Sequence, residues 1–409
     1  MSETLAIHGG TPVRKTSLTY GRQWIDEEDV QAVADVLRSD WITMGSKVYE
    51  FEQSLCRYTN AQHAIAVSSG TAALHGAMFG LAIKLGDEVI TTPMTFVATA
   101  NAILYLGGTP VFADIDPKTG NIDPNEIEKQ ITPKTKAIIP VHYAGLPCNM
   151  AAIKEIADRY NLKVVEDAAH ALGAEYKIDN AWYKVGGCAH SDIAIFSFHP
   201  VKHITTGEGG MMLLNDKALE EKIRRIRMHG VSLDIRKRLD KESIWLYEMV
   251  DLGYNYRITD FQCALGISQL KKLNRFLKRR VEIAERYYSA FQEVEELSLP
   301  NPSSSLAAVK KHAWHLYVIQ LQLDKLKGTR EDIYFALRAE NIWPQVHYIP
   351  VHLHPYYQER FGYKKGDFPA AESFYERVLS LPLYPKMSDE DVENVIIGVK
   401  KVIDYYRKR

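Results

Sequence analysis

Between residues 61 and 215 the chain alternates short apolar runs with longer stretches that carry apolar residues at helical spacing. No other feature constrains the fold as strongly. A strand covered on both faces reads as a continuous apolar run, and parallel neighbours must be joined by crossover segments of a dozen or more residues. The runs at 64–68, 88–92, 110–114, 137–141, 163–166, 192–197 and 210–214 are therefore expected as strands, with helices between them that include 71–84 and 150–160. Together they predict an α/β chain built on a mostly parallel sheet with helices on both faces.

Downstream, a basic helical stretch at 217–228 is followed by a charged connector through Glu248 and a long helical run at 259–291. The segment Asn301-Pro-Ser-Ser-Ser305 reads as a flexible linker. Beyond it, a strand at 315–323, a helix at 329–340, a Pro- and aromatic-rich loop at 343–357 and two further helices predict a smaller C-terminal α/β domain. The expected division is 1–280 for an N-terminal segment with the large domain and 281–409 for the small one. A length of 409 residues suits two or three domains. No repeat of 20–50 residues and no low-complexity tract competes with that division.

Charge narrows the partners. Fifty Lys plus Arg against 51 Asp plus Glu leaves a net charge of -1, so no whole-chain basic field is available for nucleic acid or an anionic membrane. An anionic ligand must be held by local geometry. The four cysteines, Cys56, Cys148, Cys188 and Cys263, lack zinc-ribbon or CxxC spacing and are too few to staple a chain of this size. They are expected to be reduced. The opening MSETLAIHGGTPVRK has no signal-peptide pattern, so the protein is expected in the cytoplasm. One uncharged window, 94–113, is long enough to cross a bilayer, but Thr95, Asn101, Gly107, Gly108 and Pro110 break it. A helix at 96–106 and a buried strand explain it better.

Three segments carry chemistry. In Ser197-Phe-His-Pro-Val-Lys202-His-Ile-Thr-Thr-Gly-Glu-Gly-Gly210 a lysine follows a buried strand and precedes a Gly-rich turn, which suits an amine held in a pocket. Taken alone, Lys202 also reads as one surface lysine among 50 basic residues. In Val164-Val-Glu-Asp167-Ala-Ala-His170 a strand ends in two carboxylates, and ligands of parallel sheets gather at such ends. Asp167 is the acid placed to meet a cofactor, with Glu166 facing the other way, although a strand-end Asp can equally cap a helix. In Ser68-Ser69-Gly70-Thr71 a strand runs into a helix through small and hydroxyl residues, a phosphate cradle or simply an N-cap. Jointly, phosphate cradle, strand-end acid and loop lysine form the minimum set for pyridoxal 5'-phosphate, PLP. Metal is not expected, because His142, His170, His199 and His203 show no ligand spacing that this chemistry needs.

These segments, with Thr91-Thr-Pro-Met-Thr-Phe-Val-Ala-Thr99 and Gly253-Tyr-Asn-Tyr-Arg257, resemble the sugar-nucleotide aminotransferases of the DegT/StrS family from about residue 25 to 406. The resemblance implies PLP-dependent transferase fold type I, as in aspartate aminotransferase, and a cofactor that cycles through pyridoxamine phosphate. It implies Lys202 as the Schiff-base lysine and proton shuttle, and Asp167 as partner of the pyridine nitrogen. His170 would lie near the ring hydroxyl and Phe96 against the ring face. Gly70, Thr71 and Ser197 match phosphate contacts. Asn255 matches one reached from a neighbouring subunit, which implies a homodimer with shared sites.

Within that family the stretches at 251–260, 263–272 and 345–350 are similar to the branch of pseudaminic acid synthesis, where an amino group passes from L-glutamate to C4 of a UDP-linked 4-keto-6-deoxy N-acetyl hexose. By that likeness Tyr20, Asp40, Trp41, Ile42, Thr43, Ser69, Gln345, Val346, His347 and Tyr348 would line the sugar-nucleotide pocket. The aminoarabinose branch, acting on a UDP-4-keto-pentose, is nearly as similar through 141–145 and 312–316. The chain departs from the family at Ser68–Thr71, where the pseudaminic branch commonly has Asn-Ser-Ala-Thr, and at His203, where a proline is frequent. Two other readings stand beside aminotransfer: a pyridoxamine-dependent sugar dehydrase, whose members carry histidine in place of the lysine, and a non-catalytic sugar-sensing relative.

Overall fold

The computed structural model describes residues 4–232, 247–300 and 309–408. Helices α1 (Glu27–Leu37) and α2 (Ser46–Thr59) lead into β1 (His63–Val67), α3 (Gly70–Gly80), β2 (Glu88–Thr91), α4 (Ala98–Leu104), β3 (Thr109–Phe112) and β4 (Thr135–Ile139). Then come α5 (Met150–Tyr160), β5 (Lys163–Asp167), β6 (Glu175–Ile178), β7 (Ala181–Lys184), β8 (Ile193–Ser197), β9 (Gly210–Leu214), α6 (Lys217–Arg227) and α7 (Asp260–Phe291). Seven of the strands form one sheet in the order β1-β9-β8-β5-β4-β2-β3. Every expected strand of the 61–215 region is in it, and only β9 runs antiparallel to its neighbours.

The sheet is covered on both faces because alternate residues feed different layers. Ala64 and Ala66 join Ile90, Ile138 and Val164, whereas Ile65 and Val67 join Val89, Ala137, Ile139 and Val165. The uncharged 94–113 window resolves into α4 and β3, and no helix among the described residues is long and apolar enough to cross a membrane.

Helix α7 starts under a capping box formed by Thr259 and Gln262 and continues unbroken through position 280. Its Leu273 packs with the sheet, whereas Ile283, Tyr287 and Phe291 pack in a separate cluster with Tyr317, Leu381 and Val399. Leu5 and Leu18 belong to that second cluster as well. Its framework is β10 (Tyr317–Leu321), α8 (Arg330–Ala339), β11 (Val378–Leu381) and α9 (Asp389–Tyr406).

Several expectations need correction here. The strand at 315–323 shortens to β10, and the helix at 96–106 shortens to α4, leaving Phe96 before it. Three helices, not two, follow the 343 region, since Pro355–Phe361 begins inside the expected loop and Pro369–Arg377 precedes α9. Proline opens both extra helices, at a position where its missing N–H costs nothing. The β6–β7 hairpin was not expected; Asp179 and Asn180, both at positive φ, make its turn. The linker at 301–305 and most of the charged connector before Glu248 lie outside the described residues.

Candidate active site

The site forms at the carboxyl ends of the parallel strands, where chain ends and helix starts converge. Strand β9 sets its frame. Gly210 pairs with Val67 on one side and Ser197 on the other, so β1 and β8 finish at the same level. A Cβ on Gly210 would lie 2.3 Å from the Ser69 carbonyl oxygen, and one on Gly70 would lie 2.9 Å from Ser197 Cβ. The Ser69-Gly70-Thr71 turn and Ser197 are thus brought into contact, in a space that glycine leaves open. As the first residues of α3, Gly70 and Thr71 have amides with no carbonyl one turn back. The Ser69 hydroxyl accepts the Ala72 amide at 3.1 Å and caps the helix, so both of its expected roles are compatible with its place.

Asp167 ends β5 and is 5% exposed. Its Oδ2 accepts from Thr99 Oγ1 at 2.7 Å and its Oδ1 from the Ala169 amide at 3.2 Å. Thr99 in turn is 2.8 Å from Thr95 Oγ1. Burial pushes the Asp167 carboxyl above its ordinary range against these donors and the nearby Lys202. Glu166 faces the opposite layer, bonded to Ser191 and to His142 Nε2 at 2.8 Å. The Cys148 amide donates to His142 Nδ1, which places the His142 proton on Nε2 and turns it toward Glu166.

Lys202 is half-buried, and loss of solvent pulls its amine down to about 8 while Asp167 opposes the shift. An amine with that affinity is half uncharged near pH 8, where an ordinary lysine is almost wholly protonated, and is to that extent available as base and nucleophile. Around it stand His170, His203, His315 and His347, all held below the ordinary histidine range by burial and by Lys202 itself. His170 Nε2 lies 3.0 Å from Tyr348 Oη, and its ring centroid 4.3 Å from that of His315. His170 Nδ1 is buried with no partner.

The segment around 345–348 reaches over from the smaller cluster. Gln345 pairs with Ser380 through both backbone groups, Val346 packs at the junction, and His347 Nδ1 meets Ser380 Oγ at 2.8 Å. Tyr20 stacks edge-on against His347 at 5.0 Å, and Phe96, 59% exposed, has its ring 6.1 Å from Tyr348. Lys202, Asp167, His170, Phe96, Tyr348, His347 and Tyr20 are therefore brought to one place.

Asn255 and the Asp40–Thr43 loop are not joined to that place by any described hydrogen bond or ring contact. Both are exposed, and Asn255 bridges Met228. Thr43 bridges Thr259, and the Asp260 amide donates to the Ile42 carbonyl. Buried Asp260 accepts from the Gly45 and Lys47 amides and so caps α2 from the start of α7. Sequence reasoning missed Asp260, Thr99 and His315; all three stood inside quoted segments, but nothing in their spacing announced their contacts.

A PLP-like cofactor fits this set. The orphaned His170 Nδ1, the cradle that a Cβ at Gly70 would fill, the buried Asp167 and the Lys202 amine are the donors and acceptors that such a group requires.

The profile of the DegT/DnrJ/EryC1/StrS aminotransferase family matches residues 23–400. The spore coat polysaccharide biosynthesis protein SpsC of Bacillus subtilis is 46% identical over 391 residues, covering 95% of this chain and 98% of that protein. Among solved structures, Helicobacter pylori PseC, an aminotransferase of pseudaminic acid biosynthesis, is 34% identical with a TM-score of 0.87, covering 96% of this chain and all of that one. The sugar aminotransferase Spr1654 of Streptococcus pneumoniae, solved in a PLP form, is 30% identical with a TM-score of 0.86 over 95% of this chain and 99% of that one. Its pyridoxamine phosphate form matches equally well, with a TM-score of 0.87.

Proposed function

The chain belongs to the DegT/DnrJ/EryC1/StrS aminotransferase family, with the type I fold and PLP dependence of that family, and from this premise we propose the reaction. The protein moves an amino group from L-glutamate to C4 of a UDP-linked 4-keto-6-deoxy N-acetyl hexose that feeds a surface glycan. The observation that carries the reading is the meeting of Lys202, Asp167 and the Gly70–Ser197 cradle at one end of the sheet. The likeness to SpsC and PseC supports the sugar acceptor.

When bound, the cofactor supplies an electron sink for the carbon that gives or receives nitrogen. The chain does the rest. Thr99 Oγ1 and the Ala169 amide hold the Asp167 carboxylate in one orientation, ready to stabilise a cation placed against it. The amides of Gly70 and Thr71, with the Ser197 hydroxyl, hold a phosphate. Lys202 Nζ, freed of its proton near pH 8, takes a proton from the substrate carbon and returns it. Phe96 and Tyr348 cover the site with aromatic surface that orients and keeps out water.

Trp41, 70% exposed, and Ile42 beside it suit contact with a second copy, so a homodimer completed by Asp40–Thr43 and Asn255 belongs to the same reading. So do a working division of the chain at 280/281 and a cytoplasmic location, the latter supported by four unpaired, buried cysteines. A UDP-4-keto-pentose is the alternative acceptor, favoured by the 141–145 and 312–316 segments. Lys202 itself argues against the dehydrase and the non-catalytic relative.

Absorption of the purified, cofactor-loaded protein tests the proposal. A visible band that disappears on adding L-glutamate, and returns on adding the UDP-4-keto hexose, is expected. A band indifferent to L-glutamate overturns the donor; a discharged band that only the keto-pentose restores overturns the hexose.

A further inference from the structure

Directly after Lys202 stands His203, which is 3% exposed. His203 Nε2 lies 3.0 Å from the Ala313 carbonyl oxygen. A carbonyl can only accept, so the proton sits on Nε2 and Nδ1 is left as a bare acceptor. That Nδ1 is buried without a partner, a condition that folded proteins relieve with a neighbouring donor or an ordered water. A cavity of about 10 Å³ is lined by His203 together with Lys202, Thr205 and Gln269, with the exposed Arg22 and Gln23 also in its wall. Its size is that of one water molecule, and its lining supplies the polar partners such a water needs.

We propose that His203 is a positioning residue for Lys202: through Nδ1 it holds one water in this cavity, and that water accepts a hydrogen bond from the Lys202 ammonium and connects it to solvent beside Arg22 and Gln23. The inference rests on the reading of Lys202 as the active amine. Asp167, His170, His315 and His347 are the other titratable groups near Lys202, and Arg280 and His312 face His203. Burial keeps the histidines neutral, and Arg280 and Lys202 add to that effect on His203. Asp167 and the held water are then the two groups that stabilise the protonated amine.

The test uses the pyridoxamine phosphate form, in which Lys202 carries a free amine. Competitive labelling of that amine with acetic anhydride across pH, read by mass spectrometry, gives its midpoint. His203→Phe removes the acceptor and is expected to lower the midpoint by about half to one pH unit. His203→Asn, which offers an oxygen where Nδ1 stood, is expected to stay within about 0.2 unit of the unsubstituted protein. A His203→Phe midpoint equal to the original, or equal displacement by both variants, overturns the proposal. Should His203→Phe fail to fold, a high-resolution crystal structure of the unsubstituted protein decides: a water within hydrogen-bond distance of His203 Nδ1 supports it, and an empty position overturns it. Because labelling reads the amine and not turnover, its failure is distinct from failure of the function, which a still-active Lys202→Ala variant alone would show.

Discussion

The central sheet carries a lysine–aspartate pair at each end. At the amino ends of β5 and β8, Lys163 Nζ lies 2.7 Å from Asp192 Oδ1, with side chains 59% and 27% exposed. The hydrogen bond to Asp192 raises the Lys163 amine above its ordinary value. At the carboxyl ends, Lys202 is lowered to about 8 although Asp167 faces it, and Asp167 is raised. The residue types are the same; water is the difference. Where solvent reaches both partners, the pair holds its charges and adds little, as exposed pairs do. Where solvent is withdrawn, charge becomes costly and both groups drift toward exchanging a proton, the condition that acid–base work requires.

Breaking the comparison at its buried end gives the largest effect. Lys202→Ala is expected to reduce turnover by about a thousandfold or more, measured as amino transfer from L-glutamate to the keto sugar.

Acidification gives the next effect. His170, His203 and His315 are held well below the ordinary histidine value, and His312 and His347 are held down to about 3. Below pH 6.5 the unfolded chain therefore binds protons that the folded chain refuses, and stability falls as pH drops. The loss from pH 7 to pH 5 is expected to be on the order of 1–2 kcal/mol for each histidine that stays neutral, read from urea midpoints. His315→Gln should flatten that dependence; an unchanged slope would show that His315 is protonated without cost.

The exposed pair gives the smallest effect. Lys163→Ala is expected to change stability by less than about 1 kcal/mol and to leave turnover within about twofold. A larger loss would mean that this surface pair is shielded from solvent, and would remove the contrast between the two ends.

The same contrast explains what the sequence could and could not reveal. Strands such as β4 and β8 announced themselves because burial on both faces leaves an unbroken apolar run. The strand-end position of Asp167 and the loop position of Lys202 followed from those runs. Burial of individual polar groups did not, because it depends on segments distant in the chain. His315 reaches His170 from the far side of α7, and Tyr348 comes from beyond α8. The β6–β7 hairpin escaped for another reason: its Asp-Asn turn lacks the glycine that usually marks such a reversal. Pro355 misled because it reads as part of a loop, although it opens a helix.

Strand β9 joins the two walls of the cradle. It is the one antiparallel strand of the sheet, and its first residue sets the level of both Val67 and Ser197. Side chains alternate along a strand, so inserting or deleting one residue within 210–214 would invert every position beyond it and shift one wall of the cradle against the other. Loops elsewhere can lengthen or shorten freely. This strand cannot, and natural variation in its length is expected to be absent even where its five side chains change.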